Sequence, residues 1–136
     1  MTTTGLLAVP PDWVTLRTVT EDGHPIVVLV DRAVATTAPY REFTTQVAVA
    51  VQLGETPDGL PVQDDLADLK ALEQAVVDAA AGEGRLVAVM TLEGVREWML
   101  YARTTAWSAC FSGAGLSVVL TEDPTWHGLK ELSGSA

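Results

Sequence analysis

Thr44-Thr45-Gln46-Val47-Ala48-Val49-Ala50-Val51-Gln52-Leu53 is the stretch on which the fold turns. Side chains alternate across a strand, so Thr45, Val47, Val49, Val51 and Leu53 share one face, and Gln46, Ala48, Ala50 and Gln52 the other. The first face is branched and apolar and packs on a core. The second is small and polar and reads as wet or lightly covered. This pattern predicts a two-layer antiparallel sheet with helices on one face.

Toward the C-terminus, residues 54–61 form a turn region before a long helix. Leu66, Leu69, Leu72, Val76 and Ala80 make one apolar stripe along it, and Asp64, Asp65 and Asp68 crowd its first turns, where the helix dipole favours negative charge. Gly82 or Gly84 ends it. Residues 85–92 and 95–101 are strands joined at Glu93-Gly94, a hairpin signature. Residues 104–113 read as a short helix capped by Thr104 or Thr105, with Trp107 and Phe111 one turn apart. Residues 116–121 alternate again as a last strand. Asp123-Pro124 then starts a helical turn, with Asp123 as cap and Pro124 in the first helical position. The order from 44 to 121 is β-α-β-β-α-β, the split βαβ, ferredoxin-like arrangement of the α+β class.

Toward the N-terminus, residues 14–19 and 26–31 flank Thr20-Glu21-Asp22-Gly23-His24-Pro25, an Asp-Gly turn that predicts a β-hairpin. The hairpin is expected to extend the sheet edge or to cover part of the open face. The organisation is one domain over residues 1–136: hairpin 13–31, ferredoxin-like unit 43–122, and a C-terminal turn or short helix over 123–132. A chain of this length buries about two-thirds of its unfolded surface in one core.

Eight Lys and Arg stand against 18 Asp and Glu, a formal charge of -10. The basic residues are scattered singly, so no stripe follows a phosphate backbone, and direct nucleic-acid binding is disfavoured. The same charge allows a protein partner with a basic surface. Cys110 is alone, which permits a reducing compartment. No apolar run approaches the roughly 20 residues of a membrane span, and the N-terminus lacks a positively charged leader region. The expectation is a cytoplasmic protein without membrane association.

Asp58-Gly59-Leu60-Pro61, followed by Asp64-Asp65-Leu66 and Leu69-Lys70-Ala71-Leu72-Glu73, resembles the start of the long helix in the bacterial family called domain of unknown function 695. Trp13, Gly94-Val95-Arg96-Glu97-Trp98 with Tyr101, and Glu122-Asp123-Pro124-Thr125-Trp126 resemble its early Trp, central hairpin and late segment. The likeness covers nearly the whole chain. Val62 departs from it, standing where the family pattern has a capping Ser or Thr. The Gly-Leu-Pro helix start is also similar to that of regulator of ribonuclease activity B, a small acidic protein that acts by binding a ribonuclease. This likeness implies a shared module.

No catalytic constellation is recognisable, and no cofactor or metal is expected. Cys110 lies between Ala109 and Phe111 with no cationic neighbour to activate it, so a structural role is favoured over a nucleophile paired with His127. His24 and His127 lack zinc-ligand spacing. Gly113-Ala114-Gly115 follows a helix and precedes a strand, the reverse of a phosphate loop. Ser108 and Ser112 have no evident base. Glu93, Glu97, Glu122 and Asp123 read as solvated charges.

The chain therefore reads as a non-catalytic protein-binding or regulatory module. Its expected contact surfaces are the open sheet face at Gln46, Ala48, Ala50 and Gln52 and the acidic helix face at Asp64, Asp65 and Asp68. The alternative is a small-molecule binder or enzyme with a pocket between sheet and C-terminal segment, near Glu122, Trp126 and His127. Self-association through the open sheet face is compatible with either.

Overall fold

Among the described residues, six strands form one antiparallel sheet in the order β1-β2-β4-β5-β3-β6. The computed structural model describes residues 5–53, 63–111 and 116–134, with backbone only at 63–65 and 133–134. The elements are β1 (Trp13–Val19), β2 (Pro25–Asp31), α1 (Arg32–Thr37), β3 (Thr45–Gln52), α2 (Gln63–Ala79), β4 (Gly84–Leu92), β5 (Val95–Ala102), β6 (Leu116–Glu122) and α3 (His127–Gly134). Short 3-10 turns occupy Leu6–Ala8 and Ala106–Phe111. No helix among the described residues is long and apolar enough to cross a membrane.

Turn chemistry sets the hairpins. Glu93 and Gly94 have φ of 48° and 79°, so both central residues of the β4–β5 turn are left-handed, the geometry that matches the twist of the flanking strands. Gly23, at φ 85°, does the equivalent service between β1 and β2. The N-terminal hairpin extends the sheet edge: Ile26 to Val30 of β2 pair with Leu92 to Ala88 of β4.

Helices lie on both faces, which corrects the expectation of one. Along β5, Trp98, Leu100 and Ala102 face a core with Val47, Val49 and Val89, beneath Leu69 and Val76 of α2, Ala80 just past its end, and Phe111. Met99 and Tyr101 face the opposite core, with Val28, Val30 and Ala88, beneath Leu6, Val34 of α1, Phe43, Trp126 and Leu129 of α3. Alternation shows that a strand has two faces. It does not distinguish a wet face from one covered at close range over small residues, and Ala48 is in fact buried.

Three local differences have physical causes. α1 is absent from the sequence reading because Arg-Ala-Val-Ala-Thr-Thr is short and rich in β-branched residues. Asp31 starts it by accepting from the Val34 amide. The segment expected as an α-helix over 104–113 is a 3-10 turn over Ala106–Phe111. At the C-terminus, α3 begins at His127, three residues later than Asp123-Pro124 implied. Asp123 still caps it, accepting from the His127 and Gly128 amides at 2.9 Å each, while Trp126, at φ 59°, turns into the core. The residues 54–61, Val62 and 112–115 lie outside the described ones.

Candidate functional site

The sheet is wider than the helix that covers it. α2 packs over β5 and β3, whereas β2 and β1 continue the same face beyond it. The uncovered step is a cleft of about 680 Å³. Leu29 of β2, Leu86 and Val89 of β4 and Leu100 of β5 contribute from the sheet, Glu73, Val77, Ala80 and Ala81 from α2 and its end, and Leu7, Val9, Pro11 and Trp13 from the N-terminal side. Leu7, Trp13, Leu29 and Val77 are among the few large apolar side chains that remain substantially exposed, and all four meet here.

At one end lies a buried ion pair. Asp31 is fully buried, and its carboxylate accepts from Arg85 Nη2 at 2.6 Å and from the Asp12 amide at 3.0 Å. Arg85 Nη1 also donates to the Leu6 and Val9 carbonyls at 2.7 and 2.6 Å. One guanidinium thus ties the N-terminal segment to β2 and β4, and the pair is partnered as a buried charge must be. On the α2 side, Glu73 accepts from Trp98 Nε1 at 2.9 Å. The polar groups that line the cleft are used in holding its walls, and the lining is otherwise apolar.

The sequence profile of DUF695, a family of unknown function, matches residues 11–131. The chain belongs to this family. Comparison with curated proteins and with solved structures finds no match. The DUF695 match includes every wall of the cleft except Leu7 and Val9, which precede it.

In this DUF695 chain the residues singled out from the sequence are dispersed. Gln46 is half-buried and donates to the Tyr101 hydroxyl at 3.3 Å, and Ala48 is buried, so that part of the sheet face is closed. Ala50 is half-buried and Gln52 exposed. Asp68 is exposed on α2, and the side chains of Asp64 and Asp65 lie outside the described residues.

Trp126 is fully buried and is not part of the cleft. Its Nε1 donates to the Phe43 carbonyl at 2.8 Å, and its ring stacks on Tyr101 at 3.8 Å. His127 is exposed and pairs with Glu131, while Glu122 is exposed and accepts from Thr45 Oγ1. Glu122, Trp126 and His127 are not among the residues that line the cleft. Beside them Gln46, Tyr101 and Asp123 form a chain, with Tyr101 donating to Asp123 Oδ2 at 2.7 Å. Burial pushes the Tyr101 hydroxyl well above its usual range. Burial would also raise Asp123, but the Gly128 amide, the Tyr101 hydroxyl and the His127 amide together hold it below the usual carboxylate range. This cluster docks α3. Its donors and acceptors are occupied by one another.

Cys110 is exposed, with its thiol directed to the Trp107 carbonyl. His24 pairs with Glu93 across the two hairpin tips at 2.8 Å. Among the described residues, no group of three His, Cys, Asp or Glu is placed to hold a metal.

Sequence reasoning missed the cleft because its residues come from separate elements, each of which reads as ordinary core. One signal was available. The unbroken apolar run from Ile26 to Val30 has the pattern of a strand that needs cover on both faces, yet among the described helices α2 is the one long helix to supply it.

Proposed function

We propose that this DUF695 chain is a non-catalytic binding module that receives an apolar anchor of a protein partner in the cleft between α2 and the N-terminal hairpin. The convergence of Leu7, Trp13, Leu29 and Val77 on one concave surface carries this reading. Interface hot spots are apolar or aromatic groups seated in desolvated pockets, and the cleft offers such a seat with an aromatic wall. The formal charge of -10 favours a partner with a basic surface around the anchor, because complementary charge steers encounter.

The finer fold reading belongs here too. We infer that β3 to β6 with the two crossovers form a ferredoxin-like unit. The sheet order β4-β5-β3-β6, antiparallel throughout, supports it. The likeness of the Gly59-Leu60-Pro61 helix start to regulator of ribonuclease activity B supports a regulatory role exerted through binding. The single Cys110 supports a cytoplasmic setting.

A second reading, an amphiphilic small molecule in the same cleft, is favoured by its volume of about 680 Å³, within the range of small-ligand pockets. Capture from lysate at low and raised salt, with wild type and Leu29→Asp compared at equal melting temperature, tests the first reading. A partner held by wild type and lost with Leu29→Asp supports it. Identical capture by both proteins overturns it. Native mass spectrometry showing a small molecule that copurifies with wild type and not with Leu29→Asp would favour the second.

A further inference from the structure

We propose that two copies of this chain pair through β6, antiparallel about a two-fold axis at Val119, so that their sheets run on as one. β6 is an edge of the sheet and bonds to β3 alone among the described strands. The Asp123 amide donates to the Thr44 carbonyl at 2.8 Å just past the last ladder pair, which sets the phase of the ladder. Alternation turns the N–H and C=O groups of Ser117, Val119 and Thr121 toward β3, and those of Leu116, Val118, Leu120 and Glu122 outward.

Among the described residues that edge is unguarded as far as Glu122 at its end. Edge strands are ordinarily blunted by a charge, a proline or a bulge. From Leu116 to Thr121 there is no charge and no proline, and the register with β3 runs without a shift. The opposite edge, β1, carries Arg17 within its run. Val119 and Leu120 are 57% and 50% exposed, and they lie on opposite faces, beside Ala48 and Val47. Apolar side chains left open on both faces of an edge are what an added strand covers.

The sequence identifies that strand as β6 of a second copy. Reversed against itself about Val119, it sets Val119 against Val119, Val118 against Leu120, Ser117 against Thr121 and Leu116 against Glu122. Apolar meets apolar and hydroxyl meets hydroxyl over the central pairs, and every outward backbone group finds its opposite number. Sliding the register by two residues in either direction shortens the ladder and sets Val119 against Ser117 or Thr121. The pairing is isologous and closes at two copies. It is separate from the cleft.

Light scattering at moderate salt, to screen the charge of each chain, tests this over tens to hundreds of micromolar. Wild type is expected at twice the chain mass. Val119→Lys, which sets two ammonium groups face to face across the axis, is expected at the single mass with an unchanged circular dichroism spectrum. In a Cys110→Ser background, Val119→Cys is expected to form a disulfide-linked dimer under mild oxidation, and Ser117→Cys is not, because its neighbour across the axis is Thr121. Should Val119→Lys fail to fold, this cross-linking pair decides. A wild type that stays at the single mass, a dimer that survives Val119→Lys, growth beyond two copies, or equal cross-linking from both cysteine positions overturns the proposal.

Discussion

Asp31 does three jobs with one carboxylate: it caps α1, receives the Asp12 amide and neutralises Arg85. Removing one partner of a buried pair strands the other charge, so Asp31→Ala should cost about 3–5 kcal/mol, read as a lowered urea midpoint. The His24–Glu93 pair is the opposite case, on the exposed surface at the hairpin tips. The hydrogen bond to Glu93 holds His24 above its ordinary 6.5. A raised histidine contributes its stabilisation below 6.5 and loses it as pH rises through the folded value. Titration of the His24 ring resonances should therefore give a pKa above 6.5, and Glu93→Gln should bring it back toward 6.5. These residues also divide by legibility. His24 in a turn was readable. Asp31 looked like the polar end of a strand, because nothing in a local pattern announces an arginine 54 positions away.

At the scale of elements, α3 is held by its start more than by its length. Asp123 accepts from two of its amides, and Trp126 fixes the approach by stacking on Tyr101. Asp123→Ala should cost about 0.5–2 kcal/mol as a lost cap. Trp126→Ala should cost about 3–5 kcal/mol, because the ring is fully buried and its neighbours cannot close the space. Both are checked by equilibrium denaturation. Because the Asp123 pKa is lowered, its share of stability is present above the unfolded value near 3.8 and disappears as pH falls through the folded one. An acid series carried below pH 3.8 should show α3 loosening before the sheet, with hydrogen exchange at Leu129 and Lys130 as the readout. Most elements were legible, since β3, the two hairpins, α2 and β6 have period and turn chemistry in agreement. α1 was not, since its helicity comes from a cap and from packing of Val34, against the propensity of its own residues.

The whole molecule carries -10 on one small body. Self-repulsion opposes the compact state, while the buried Arg85–Asp31 pair is little affected by added salt. Raising NaCl to about 0.5 M should therefore raise the urea midpoint, and no change would mean that the carboxylates are already well dispersed. The acidic composition and antiparallel sheet were readable from the chain. The second layer and the cleft were not, since both arise from how far α2 reaches across a sheet whose width depends on where the hairpin docks.

The strand order also has a bearing on how the protein is made. β1 and β2 can zip together as soon as they are synthesised, but β2 waits for β4, and β3 waits for β5 and β6. A ribosome releasing the chain from the N-terminus holds the apolar run of β3 without a partner until residues 95–102 have emerged, and the full sheet until 116–122 have followed. Neither core can close before β5 has been made, because both draw on it. The alanines and glutamines on the second face of β3 limit how sticky that waiting segment is.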